Sequence, residues 1–229
     1  MKKFLLSVAV VGLVAGGARA GIIYSNFDPG MSFGRAATFI LGPNTSDFFG
    51  DQQAAAAPFT PASNFVFRSV ELPLDLVSGT NNVTVQLRTS FMGVPSSTVL
   101  ESFTVTGLTG SAAVFTENST MHPLLQQGTQ YWITLFPGGS DTEAEWNFND
   151  TGATGRALSN DGGANWSTDS EQSAFEVDGD PVGTPEPGSL ALLGMGLASL
   201  AAGAWWRKTR TAANRAVPAA EAVATFGRS

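Results

Sequence analysis

Between residues 65 and 178 apolar side chains return at every second position, and this alternation excludes most folds open to a chain of this length. Val70, Leu72, Leu74 and Leu76 alternate with Ser69, Glu71, Pro73 and Asp75, and Val83, Val85 and Leu87 with Thr84, Gln86 and Arg88. The pattern recurs at Phe103 and Val105, at Trp146 and Phe148, and at Phe175 and Val177. A period of two is the signature of half-buried strands, one face dry and the other wet. Tyr131 to Phe136 is apolar at nearly every position and reads as a central strand covered on both faces. Phe65 and Phe67 fall out of phase with Val70, so a bulge or bend is expected between them. Pro73 within a strand pattern points to an edge position.

Turn clusters separate these runs: Ser78 to Asn82, Gly93 to Ser97, Gly107 to Gly110, Pro137 to Asp141 and Asn160 to Asn165. Short strands at near-regular spacing between Gly/Pro/Asn turns predict an all-β, antiparallel sandwich over residues 21–182. Gln52 to Ala57, before Pro58, is read as a helical turn or short helix. At about 160 residues this region is long enough to bury about 70% of its unfolded surface. It has no cysteine, so packing alone must hold it. Residues 21–184 carry 17 acidic side chains against four basic ones (Arg35, Arg68, Arg88 and Arg156), a net charge of −13. Such a surface repels nucleic acid and favours solubility.

Both termini differ in kind. Lys2 and Lys3 precede an apolar run from Phe4 to Val14, and Ala18-Arg19-Ala20 has the small-x-small form of a cleavage site. Residues 1–20 are therefore expected to be a signal peptide, read by the Sec translocon and signal peptidase, with the mature chain starting at Gly21. From Gly188 to Trp206 no residue is charged. As a helix of ~1.5 Å rise per residue this run spans about 28 Å, close to a bilayer core. Trp205 and Trp206 would sit at the interface, and Arg207, Lys208 and Arg210 favour a cytoplasmic end. The expected transmembrane helix is 189–206, within a C-terminal segment 183–210 that starts with a linker, and residues 211–229 are expected to form a disordered tail.

The sequence Pro185-Glu186-Pro187-Gly188, the apolar run and the basic stop together resemble the PEP-CTERM sorting signal. That resemblance implies a Gram-negative bacterium that makes exopolysaccharide, and an exosortase that recognises the signal on an inner-membrane-anchored precursor. It further implies delivery to the cell surface or extracellular matrix. In that family the basic cluster lies near the chain end, whereas here Thr211 to Ser229 follow it. The preceding domain is similar to the choice-of-anchor domains. The resemblance is carried by Ile22-Ile23-Tyr24-Ser25-Asn26-Phe27, Ala57-Pro58-Phe59-Thr60-Pro61, Val70 to Leu74, Gly128 to Leu135, Trp146-Asn147, Trp166 and Ala174-Phe175. Gly93-Val94-Pro95-Ser96 resembles a Gly-x-Pro-Gly turn in which Ser96 replaces glycine. This second resemblance implies a jelly-roll-like sandwich and no established activity.

Residues suited to catalysis are sparse. His122 is the one histidine, and no Gly-x-Ser-x-Gly elbow is present to place a serine nucleophile. Glu143, Glu145 and Asp150 are the carboxylates considered for glycoside hydrolysis; Glu143 and Glu145 share a strand face about 7 Å apart. Asp141, Glu143, Asp150 and Asp161 offer oxygens for a structural calcium ion, without EF-hand spacing. No other cofactor is expected. Trp132, among apolar neighbours, reads as core. Trp146 shares a face with Phe148 and sits beside Asn147 and Asn149, so both core packing and sugar contact remain open. Trp166 in the Asp161-Gly162-Gly163-Ala164-Asn165 loop is open in the same way. The sequence thus points to an exported, non-enzymatic structural or adhesive protein linked to exopolysaccharide and biofilm. The alternative is a secreted carbohydrate-binding module or carbohydrate-active enzyme. Its candidate sugar contacts are Trp166, Asn165, Asp161 and Trp146.

Overall fold

The computed structural model describes residues 21–45, 52–183 and 196. The chain divides into two units, Met1–Val182 and Gly183–Ser229. The expected signal peptide with Ala18 and Ala20, the sorting residues Pro185, Glu186, Pro187, Gly188, Arg207, Lys208 and Arg210, and the 211–229 tail lie outside the described residues. So does the 189–206 span, apart from Gly196. Among the described residues no helix is long and apolar enough to cross a membrane.

The described residues of the first unit are all-β, with antiparallel sheets. One sheet contains β1 (Gly21–Ser25), β2 (Ala37–Leu41), β4 (Phe65–Ser78), β7 (Ala113–Asn118), β8 (Leu124–Leu125), β10 (Glu143–Asn147) and β13 (Glu176–Pro181). The other contains β3 (Ala54–Phe59), β5 (Asn82–Phe91), β6 (Val94–Thr106), β9 (Tyr131–Pro137), β11 (Ala157–Ser159) and β12 (Ser167–Thr168). The first runs β1-β13-β4-β10-β2 with β7 and β8 alongside β4, and the second runs β12-β11-β3-β9-β5-β6. Gly21, the expected first residue of the mature chain, is also the first residue of β1, opposite Gly179.

The predicted alternation sets the core. Val70, Leu72 and Leu74 from one sheet and Val83, Val85, Leu87, Ile133 and Leu135 from the other share one buried apolar cluster. Burial of one Val, Leu or Ile side chain contributes about 1.5–3 kcal/mol, which is how a chain without disulfides holds two sheets together. The phase slip before Val70 is a bulge. Gly179 pairs with Phe67 and Asp178 with Ser69, which leaves Arg68 without a partner position in β13. Arg68 instead reaches sideways to Asp180 at 2.6 Å. β9 is central, between β3 and β5, and Tyr131 to Leu135 are all buried.

Three expectations need correction. Pro73 is not on an edge. β7 pairs with β4 from Ser69 to Leu74, while on the opposite side β13 pairs as far as Glu71 and β10 from Leu74 onward. Pro73 occupies the gap between those two partners, where its missing N–H removes no ladder bond. Residues 54–57 are not helical but belong to β3, and Ala54 to Ala57 are fully buried. Alanine's helix preference is worth under about 1 kcal/mol per residue, and tertiary packing overrides it. Small side chains are needed there because β3 is covered on both faces: Ala55 and Ala57 lie in the main core, and Ala56 lies under Trp132 in a second cluster. Finally, the β5–β6 turn is Met92-Gly93, not Gly93 to Ser97, with Phe91 opposite Val94. Both turn residues have positive φ, 52° at Met92 and 80° at Gly93, the two-residue form whose twist matches a hairpin. Val94 to Ser97 belong to β6.

Candidate carbohydrate-contact site

Trp146 is in the core. It is fully buried on β10, its Nε1 donates to the Ala174 carbonyl at 2.8 Å, and its ring meets Phe175 edge-on at 6.2 Å. Alternation along β10 turns Trp146 and Ala144 inward and Glu143 and Glu145 outward, so the tryptophan cannot contact a sugar. Its polar neighbours turn to structural ends as well. Asn149 donates to the Ala153 carbonyl at 3.0 Å and accepts from the Thr151 and Ala153 amides, which closes a local loop.

Trp166 is placed differently. It is half-buried on the outer face of the six-stranded sheet, against a small cluster of Ala56, Trp132 and Ala157. Its ring meets Phe136 edge-on at 6.1 Å, and the Arg88 guanidinium sits 4.9 Å from the Phe136 ring centroid. Burial lowers the pKa of Arg88 from its ordinary value. Trp132, fully packed below, donates from Nε1 to Ser90 Oγ at 3.1 Å. The sequence places Phe136 in the central apolar run without assigning it to this site, although a signal is present. Trp132, Thr134 and Phe136 alternate with Ile133 and Leu135, so once Ile133 faces the core, Phe136 must face outward.

The loop between β11 and β12 builds the rest of the site. Leu158, Asn160, Asp161, Asn165, Trp166 and Ser167 line an open groove of about 330 Å³. Asp161 Oδ1 accepts from Ser159 Oγ at 2.7 Å and from the Asn165 amide at 2.9 Å, and Oδ2 accepts from Asn165 Nδ2 at 2.7 Å. Ser159 Oγ accepts in turn from the Gly163 amide at 2.7 Å. Gly162 and Gly163, at φ of 70° and 93°, allow the chain to turn tightly enough for these bonds. The bonds from Asn165, first from its amide and then its side chain, with that from Ser159, lower the Asp161 pKa to about 2. Asp161 is thus a fixed anion whose acceptor sites are largely taken by its own loop. It positions Asn165 and Trp166 more than it offers itself to a ligand.

The structure therefore brings together Trp166, Asn165 and Asp161 and separates Trp146 from them. The four carboxylates considered for calcium are not gathered. Asp141 accepts from Thr80 Oγ1, Glu143 from Ser78 Oγ at 2.8 Å, and Asp161 from its own loop. Among the described residues no three His, Cys, Asp or Glu side chains converge on one point. His122 is exposed, with φ of 50°, on the turn that follows Ser119.

The family model of the PEP-CTERM protein-sorting motif matches residues 184–208, the segment that joins the Pro-Glu-Pro-Gly turn to the apolar run and the basic stop. No curated protein matches the chain. The chain carries this sorting motif, and the motif implies an exosortase-processed, exported protein with a membrane-anchored precursor in a Gram-negative bacterium.

Proposed function

We propose that this exosortase-sorted chain is a non-enzymatic protein of the cell surface or extracellular matrix, led to export by a signal peptide over residues 1–20. In this reading the sandwich of residues 21–182 associates with the host's exopolysaccharide in a structural or adhesive role linked to biofilm. The groove beside Trp166 carries the proposal. An aromatic ring half out of the core, flanked by an amide held in place by a neighbouring carboxylate, suits a sugar ring: apolar C–H groups stack on the indole, and hydroxyls meet Asn165 and Asn160. The order imposed by Asp161 lowers the entropy lost on binding. Its shallow, open form favours weak contact repeated over many copies, and so adhesion rather than turnover.

The test is titration of purified residues 21–182 with the native exopolysaccharide, followed by tryptophan fluorescence. The expected result is a saturable change with affinity of about millimolar to micromolar, corresponding to roughly 4–8 kcal/mol. It should be lost in Trp166→Ala; because either substitution removes the reporting indole, both variants are also followed by calorimetry, in which binding should be lost in Trp166→Ala and retained in Trp166→Phe. No change, or the same change in Trp166→Ala, would leave Trp166 as packing against Phe136.

A further inference from the structure

The outer face of the other, seven-stranded sheet carries a larger groove, of about 700 Å³, whose lining includes Phe33, Gly34, Arg35, Asp75, Glu145 and Asn147. Its chemistry is one-sided. Glu145 on β10 stands directly opposite Asp75 on β4, which sets two carboxylates side by side at about 4.5–5.5 Å between Cβ atoms. Like charges so placed oppose pairing of the strands. Alternation puts Asn147 on the same face as Glu145, with Trp146 between them turned into the core. Asn147 is only 3% exposed, and its Oδ1 is buried without a hydrogen-bond partner. Asp75 Oδ1 is buried without a partner as well.

A pair of carboxylates, one of them with an orphaned oxygen, beside the orphaned acceptor of Asn147 lacks one thing, positive charge. A buried acceptor left unpaired costs about 1–3 kcal/mol, so a native sheet does not collect several at one place without compensation. Arg35 lines the same groove but is exposed, and the ion pairs among the described residues are those of Arg68 and Arg156. Burial raises the Asp75 carboxyl, and burial followed by the charges of Asp75 and Glu143 raises that of Glu145.

We propose that Asp75, Glu145 and Asn147 form a binding site for a hard divalent cation, calcium foremost. The donor set is all oxygen, with two carboxylates and an amide carbonyl, as calcium prefers over the nitrogen and sulfur ligands of zinc. Calcium takes six to eight oxygens in flexible geometry, and the open groove leaves room for water to complete the shell. Three protein side chains with two charges place the affinity in the weak range of extracellular modules, about 10⁻⁴–10⁻³ M. An exported chain meets calcium at such concentrations. The ion would neutralise the cross-strand pair and clamp β4 to β10. The site is on the sheet opposite the Trp166 groove and does not depend on the sugar reading.

The test uses the full chain in neutral detergent, stripped with EDTA and titrated with calcium chloride by calorimetry, with thermal unfolding in parallel. One site and a calcium-dependent rise in the unfolding temperature are expected. Asp75→Asn and Glu145→Gln should each weaken binding by about tenfold or more. In EDTA both variants should unfold at or above the wild-type temperature, because the repulsion is gone; this separates loss of a ligand from loss of the fold. Glu143→Gln, on the same strand face but held by Ser78, should change affinity by less than about threefold. Arg35→Ala should tighten binding. Absence of calcium-dependent heat and of any temperature shift up to about 10 mM, or an equal response in the Asp75→Asn/Glu145→Gln double variant, would overturn the proposal and leave the pair neutralised by a shared proton or by Arg35.

Discussion

Glu101 offers a quantitative test of how the sandwich holds its loops. It lies on β6, is 5% exposed, and its carboxylate caps the turn that follows β7. It accepts from Ser119 Oγ at 2.5 Å, from the Thr120 amide at 2.6 Å and from the Met121 amide at 3.0 Å. Ser119 Oγ also accepts from the His122 amide at 2.8 Å, so one carboxylate organises a turn that ends in a left-handed histidine. Hydrogen bonds to a charged group contribute about 1.5–3 kcal/mol each, offset by several kcal/mol for burying the carboxylate. Glu101→Gln keeps the shape and an acceptor for the two amides but loses the charge, so about 1–2 kcal/mol of stability should be lost. Glu101→Ala leaves two amides and a hydroxyl without an acceptor and should cost about 3 kcal/mol, limited by the water that reaches exposed Met121. Burial raises the Glu101 pKa, but the bonds from Ser119, Thr120 and Met121 together outweigh it and hold the group below its ordinary value of 4.5. A depressed carboxyl stabilises the fold above the unfolded-state pKa, and that contribution is lost as pH falls through the folded value. Urea unfolding of residues 21–182 should therefore show a constant gap between wild type and Glu101→Gln from pH 7 to about 5, closing below about 4.5. A gap within about 0.5 kcal/mol of zero at pH 7, or one that persists unchanged to about pH 3, would refute the capping role.

Two further outcomes are expected. Gly79 has φ of 80°, and a Cβ there would lie 1.8 Å from the Asp141 carbonyl oxygen, so the β4–β5 and β9–β10 turns touch at this glycine. Gly79→Ala should destabilise by about 2–5 kcal/mol, combining left-handed strain with a clash. Gly93→Ala, at the same φ with nothing within 4 Å, should lose only about 1–2 kcal/mol, and equal losses in urea unfolding would remove the close approach as the cause. For sorting, Glu186→Ala is expected to leave uncleaved precursor in the inner membrane of an exosortase-bearing host; equal maturation of variant and wild type on immunoblots would argue against recognition through this residue.

The strands were legible because period two is a local signal. Val70 to Leu76 and Val83 to Leu87 alternate within their own segments, and the bulge at Arg68 showed as a phase slip between Phe67 and Val70. The errors fell where the answer depends on what lies beside a strand. Nothing local to Ala54-Ala55-Ala56-Ala57 says that Trp132 will cover one face and the core the other, so intrinsic preference pointed to helix. Pro73 was read against a lone strand, whereas in the fold two partners meet end to end beside it. Met92 sits in a left-handed conformation that β hairpins usually reserve for Asn, Asp or Gly, so the Gly93 to Ser97 cluster starts one residue late and runs four residues into β6.

The sites divide along the same line. Asp161, Asn165 and Trp166 are close in sequence, and a loop with two glycines brings them together without help from the rest of the fold. Phe136 and Arg88, which fix the back of that site, come from two other strands and needed the phase of β9 to be known first. Asp75 and Glu145 are seventy positions apart and become neighbours only through the register of β4 with β10. Each alone reads as an ordinary charge on a wet strand face. Their meaning arises from pairing: alternation commits both to one surface, register sets them opposite each other, and Asn147 adds an acceptor with no donor. In a domain with 17 acidic side chains, four arginines and no lysine over residues 21–184, a positive partner for that cluster is scarce within the chain, and the solvent outside the cell is the richest source of one.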